Sequence, residues 1–144
     1  MDLLERARAL AACALFADLA PAVIIRLAER ARPLELAGGD RHSTDDTVLV
    51  VASGNLAVVA RGEAAIDATV STMKRHGGSA TAGHVIGLIR VIAPTTPVVE
   101  VIADRPTVVL AFAPDDIRDV LEEDPGALAA LAAALAKSLL ERPK

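Results

Sequence analysis

Between residues 34 and 113 the apolar residues come in short, valine-rich runs, and each run is cut off by a turn. The runs are Val48–Ala52, Leu56–Ala60, Ala68–Val70, Val98–Ala103 and Thr107–Ala113. The turns are Gly38-Gly39-Asp40, Ser53-Gly54-Asn55, Arg61-Gly62-Glu63, Gly77-Gly78 and Asp104-Arg105-Pro106. Short β-branched runs at this spacing are too brief for helices and predict a compact all-β unit, a sandwich or barrel. The segment Gly87–Ile92 interrupts it and reads as a short helical turn, ended by Pro94 and Pro97. With 30 alanines, two phenylalanines and neither tyrosine nor tryptophan, whatever this chain encloses must be aliphatic.

Helical spacing flanks the β unit on both sides. Leu3, Leu4, Ala7, Leu10 and Ala14 form one periodic series. Asp18 and Pro21 are then expected to open a second helix, Asp18 as its cap and Pro21 in its first turn. That helix turns Ile24, Leu27, Ala28 and Ala31 inward and Arg26, Glu29, Arg30 and Arg32 outward, and Pro33 is expected to end it. After the β unit, Pro114-Asp115-Asp116 starts a helix with acids where its dipole favours them, and Ile117, Val120 and Leu121 face inward. Asp124-Pro125 starts the last helix, in which Leu128, Leu131, Leu135 and Leu139 fall at spacings of 3, 4 and 4 on one stripe. The expectation is one α+β domain over residues 1–144. Helices occupy 1–33, the β-roll 34–113 and two further helices 114–142.

Charge narrows the functional classes. Fifteen basic residues stand against nineteen acidic ones, a net charge of −4. Neither a basic stripe nor aromatic stacking platforms are present, so a nucleic-acid partner is not expected. The N-terminus lacks the basic start and unbroken apolar region of a signal peptide, and the longest apolar stretch, Gly126–Leu140, carries Lys137 and Ser138, so no membrane insertion is expected. Cys13 is the single cysteine. It cannot form an internal disulfide, and a reducing cytoplasmic setting follows as the expectation.

Several strings then share an order that resembles the cyclic-nucleotide-binding domain family, which includes the sensor half of the catabolite activator protein. Leu15-Phe16-Ala17-Asp18-Leu19 resembles the family's L-F-x-x-L entry, and Ala37-Gly38-Gly39-Asp40 its P-G-E/D turn. Val48-Leu49-Val50-Val51-Ala52-Ser53-Gly54 is similar to L-Y-x-V-x-S-G. Gly83-His84-Val85-Ile86-Gly87 is similar to G-D-x-F-G, which opens the family's phosphate-binding cassette. Val101-Ile102-Ala103 with Val109-Leu110 resembles the closing strands. The resemblance covers about residues 14–140 and implies a jelly-roll-like antiparallel β-roll between helices.

Departures from the family pattern fall where its ligand binds. The family meets the ribose hydroxyl with a glutamate directly after the cassette's second glycine, and here that residue is Leu88. It meets the phosphate with an arginine whose position falls at or near Pro97. Charge-assisted hydrogen bonds contribute roughly 1.5–3 kcal/mol each, so two missing contacts weaken binding by about 10²- to 10⁴-fold. Asp40–Thr47 is also shorter than the family's strand and loop there. The cassette keeps its amides, which makes Gly83, Gly87, Leu88, Ile89 and Arg90 the candidate ligand-binding residues, with Arg90 as the cation able to meet an anion.

Other constellations have plainer readings. Arg41-His42-Ser43-Thr44-Asp45-Asp46 is consecutive and reads as a polar loop. Gly77–Gly83 lacks the P-loop lysine. His76 and His84 have no third ligand for a metal. Cys13 shows no sign of activation, Ser53-Gly54 is not a nucleophile elbow, and Arg105 pairs with Asp104 at the surface. The expectation is therefore a non-enzymatic regulatory or interaction module, without cofactor or metal, that does not bind cyclic AMP in the usual manner. Its expected partner is a protein or a second copy, met through Leu128, Leu131, Leu135 and Leu139. Two alternatives remain: a sensor of a cyclic nucleotide or another anion using the cassette amides and Arg90, and a regulatory domain of a larger transporter, channel or enzyme.

Overall fold

The computed structural model describes residues 1–44, 46–59, 79–88, 91 and 100–140. Helix α1 runs Leu3–Ala11, a 3-10 turn spans Ala14–Phe16 and α2 runs Pro21–Arg30. Eight strands follow: β1 Arg32–Leu36, β2 Arg41–Ser43, β3 Val48–Ser53, β4 Asn55–Val59, β5 Ser79–Thr81, β6 Val85–Ile86, β7 Glu100–Ala103 and β8 Thr107–Phe112. Helices α3, Pro114–Glu122, and α4, Pro125–Leu140, close the chain. The described strands pair antiparallel into two four-stranded sheets, ordered β1-β8-β3-β6 and β2-β7-β4-β5. This is the α+β β-roll between helices that the sequence implies.

The two sheets enclose one core and the helices cover another. Successive strand residues point to opposite faces. In β3, Leu49 and Val51 point into the roll while Val48 and Val50 point at the helices; in β8, Val109 and Ala111 point inward while Leu110 and Phe112 point at the helices. Strands β3 and β8 of the first sheet are therefore buried on both faces, unlike its edge strand β1, which explains why Val48–Val51 and Val109–Phe112 are apolar without alternation. The second sheet has one wet face: in β7, Val101 and Ala103 are buried while Glu100 and Ile102 are partly exposed. Both phenylalanines, Phe16 and Phe112, lie in the helix-facing core. The apolar cluster of the roll interior consists of leucine, isoleucine, valine and alanine.

Local chemistry sets the helix ends. Asp2 and Glu5 form a capping box on α1: the Glu5 amide donates to Asp2 Oδ1 at 2.8 Å and the Asp2 amide donates to Glu5 Oε1 at 3.5 Å. Asp124 Oδ1 accepts from the Gly126 and Ala127 amides at the start of α4. Three expectations need correction. The N-cap of α2 is Ala20, with no side-chain cap, so Asp18 does not serve there. The helix ends at Arg30, and Arg32 and Pro33 already belong to β1, where Pro33 is tolerated because β1 is the terminal strand of its described sheet. Arg41–Ser43 is not loop but β2, paired residue for residue with Ile102, Val101 and Glu100. Its polar side chains hide a strand whose register rests on backbone bonds. The run Ala68–Val70 and the turns at 61–63 and 77–78 lie outside the described residues.

Two turns that carry the chain from one sheet to the other, β3 to β4 and β7 to β8, are tied together at Ser53-Gly54-Asn55. The buried Thr107 hydroxyl accepts the Asn55 amide at 3.0 Å and sits within donating distance of the Arg105 carbonyl at 2.8 Å and the Asn55 carbonyl at 3.1 Å. Asn55 Nδ2 donates to Asp104 Oδ2 at 2.6 Å. Asp104 and Arg105 also form the expected exposed pair, at 3.9 Å. Gly54 has φ of +94°, and a Cβ there would lie 2.5 Å from Thr107 Oγ1 and 2.7 Å from the Pro106 carbonyl oxygen. Both conformation and space demand glycine. Gly54→Ala is expected to cost about 2–4 kcal/mol from strain and overpacking, read as a lower urea midpoint at unchanged slope; an unchanged midpoint would refute the clash.

Candidate functional site

The cassette begins at the turn between β5 and β6. Thr81 to His84 form a tight reversal in which the His84 amide donates to the Thr81 carbonyl at 3.0 Å and the Thr81 amide donates back to His84 Nδ1 at 2.9 Å. Gly83 takes φ of +92° there, and its amide donates to the Val51 carbonyl at 3.0 Å. The Val51 amide donates to the His84 carbonyl at 3.0 Å, so the turn hangs on β3. An Nδ1 that accepts leaves the neutral ring protonated at Nε2. Burial moves the half-buried imidazole in the same direction, lowering its pKa below the ordinary value.

At the other end of β6, Gly87 has φ of +85°. A Cβ there would lie 3.2 Å from the Thr47 carbonyl oxygen and 3.4 Å from Thr44 Cβ. The cassette backbone thus lies close to Thr44 and Thr47, and the positive φ at Gly87 would strain any other residue there. Leu88 follows, 1% exposed. Its side chain belongs to the helix-facing core with Val85, Val91 and residues of α1, α2 and α3, not to the roll interior. Val91 is buried in the same core, and its amide donates to the Leu88 carbonyl at 3.0 Å.

The structure thus brings Gly83, Gly87 and Leu88 to the two ends of β6. Ile89, Arg90 and Pro97 lie outside the described residues, as does His76. Among the described residues the buried polar side chains are Thr44, Asn55 and Thr107, and none carries a charge. No group of three or more His, Cys, Asp or Glu among them is placed to hold a metal ion. Cys13 is buried, its thiol directed at the Ala9 carbonyl at 3.4 Å, and burial pushes its pKa up to about 12. A thiol this hard to ionise is no nucleophile. No helix among the described residues is long and apolar enough to cross a membrane.

The leucine stripe on α4 divides. Leu131 and Leu135 are buried in the chain's own helix-facing core together with Ala127, whereas Leu128 is 41% exposed. The buried line is thus 127, 131 and 135. Leu128 stands about 100° away around the helix from Ala127. Leu131 and Leu135 are therefore not available as an intermolecular surface. Leu139 lies in α4, and its side chain is outside the described set.

One contact at this site was not legible beforehand. Arg118, in the middle of α3, donates from Nε and Nη2 to the Val91 carbonyl at 3.2 and 2.9 Å and from Nη1 to Asp115 Oδ1 at 2.7 Å. Only the Asp115 pair has a sequence signal, the i, i+3 spacing. On its other side, α3 meets α2 through Arg30–Asp116 at 2.9 Å and Arg26–Glu123 at 2.7 Å.

Neither a family model nor a curated protein matches this sequence. Solved structures do match. The N-terminal domain of a transcriptional regulator from Streptomyces coelicolor A3(2) aligns over 100% of this chain and 99% of its own, with a TM-score of 0.64 at 19% identity. The sensor domain of the transcriptional regulator DNR from Pseudomonas aeruginosa aligns over 92% of this chain and 87% of its own, with a TM-score of 0.66 at 15% identity. A cyclic nucleotide-binding-like protein from Brucella abortus aligns over 81% of this chain and 97% of its own, with a TM-score of 0.56 at 22% identity. The chain has the fold of cyclic-nucleotide-binding-like sensor domains.

The His84 geometry predicts a pH dependence. Its folded pKa lies below its unfolded value near 6.5, so between the two the unfolded chain holds more protons. This contribution is complete above about pH 6.5 and shrinks as pH falls through the window beneath it. Urea unfolding of wild type and His84→Gln between pH 7.5 and 5.5 should show a steeper loss in wild type; parallel curves would contradict the assignment.

Proposed function

We propose that this protein is a non-enzymatic regulatory module of the sensor-domain type that does not bind cyclic AMP or cyclic GMP in the usual manner. The observation that carries the reading is Leu88. At the position where the resembling family places a ribose-binding glutamate stands an aliphatic side chain, 1% exposed and packed toward the helices. A cyclic nucleotide brings a phosphate monoanion and a hydroxyl, and burying either without a partner is costly. The apolar cluster inside the roll is aliphatic, and the buried polar side chains among the described residues, Thr44, Asn55 and Thr107, carry no charge.

The regulatory half of the proposal draws on the fold. Two of the similar structures are described as domains of transcriptional regulators, one of them as a sensor domain. A module of that kind in this chain would act through its helices and not through catalysis. Calorimetric titration with cyclic AMP and cyclic GMP tests the reading. The expected result is no saturable heat up to about 1 mM ligand. Saturable binding in the micromolar range would overturn it and favour an anion sensor built on the cassette amides and Arg90.

A further inference from the structure

We propose that His84 is a proton-operated clasp on strand β5: its neutral ring holds the last residue of the strand, and protonation lets that residue go. The proposal goes beyond the proposed function and does not depend on whether any ligand binds. It stands on the direction of one hydrogen bond. The Thr81 amide donates to His84 Nδ1 at 2.9 Å, so the contact exists only while that nitrogen keeps its lone pair. A protonated imidazole carries an N–H at both nitrogens, and Nδ1–H would then face the Thr81 N–H, donor against donor. The ring must swing away, and the exposed Thr81 amide passes to solvent.

The two arms of this turn are held unequally. On the β6 side, the Gly83 amide and the His84 carbonyl are both bonded to Val51 of β3, and Val85 and Ile86 are buried. On the other side β5 is three residues long and stands at the end of its described sheet, paired with β4 at Asn55, Leu56 and Ala57. Ala80 is its single buried side chain. Loss of the ring contact therefore falls on β5, at its Thr81 end. Few charges surround the ring. Strands β3, β4, β5 and β6 contain no titratable side chain. The end of α1 approaches the turn, with the Ala12 carbonyl 3.6 Å from where a Gly83 Cβ would stand; that helix carries Arg8 in its last turn, and Cys13 beyond it stays a neutral thiol. Asp46 stands beside Thr47, which meets Gly87 at the far end of β6. Burial sets the balance: the half-buried ring gives up its proton more readily than a ring in water. The clasp is thus shut at neutral pH and opens in acid, beneath about pH 6.5.

Residue-resolved NMR between about pH 7.5 and 4.5 tests this, following the His84 ring signals together with the hydrogen-exchange protection of the Thr81 amide, each rate being divided by the intrinsic rate at that pH. Thr81 protection should fall roughly tenfold, the scale of one hydrogen bond, with the midpoint of the ring titration, while the Leu110 amide in β8 is unchanged. His84→Ala should show the low Thr81 protection at every pH. His84→Gln, which does not titrate, should show a Thr81 protection independent of pH. Three results would overturn the clasp. One is Thr81 protection that stays level while the ring protonates. Another is an equal fall in His84→Ala, which would assign the effect to general loosening in acid. The third is a ring that stays neutral throughout the range in which the chain is folded.

Discussion

Everything in this fold depends on two neighbouring strands, β3 and β8, each having two apolar faces. The sheet β1-β8-β3-β6 supplies one wall of the roll through Leu49, Val51, Val109 and Ala111 and the floor of the helix layer through Val48, Val50, Leu110 and Phe112. Each fully buried aliphatic side chain of this kind contributes about 1.5–3 kcal/mol. Neither β3 nor β8 has a solvent face to give up, so a one-residue slip would exchange the two cores wholesale. The chain pins that register at one corner, where Gly54, Asn55, Asp104 and Thr107 lock two turns together through buried hydrogen bonds.

The same constraint explains what could be read from residues alone. β3, β4 and β8 were legible because burial demands unbroken or alternating apolar runs of five or six residues. β2, β5 and β6 were not, since two or three residues carry no period, and Arg41-His42-Ser43 pairs through its backbone with side chains that look like loop. The helices were legible from their buried stripes, but their ends were less so. Asp18 has the composition of a cap without the position, and Pro33 sits in a strand that begins sooner than a proline-terminated helix would allow. On α4 the leucine spacing is real, yet it does not say which way the stripe faces. Alanine at 127 completes the buried line and leaves Leu128 outside.

At the candidate site, glycine was the informative residue. Gly83 and Gly87 both adopt positive φ, and the second lies close to Thr44 and Thr47, so the G-x-x-x-G string marks backbone geometry. Leu88, directly after the second of these glycines, belongs to the helix-facing core. The Arg118–Val91 contact lay beyond any local pattern, because its partners are 27 residues apart and the acceptor is a main-chain oxygen.

The central claim is that the residue after the second cassette glycine is a core position and not a ligand contact. Leu88→Glu tests it most directly, by equilibrium urea unfolding at pH 7.5. If Leu88 is core, introducing a carboxylate there costs about 3 kcal/mol or more, or prevents folding altogether. If the position opens onto a polar pocket, Leu88→Glu unfolds at the wild-type midpoint, and the account of this site is wrong.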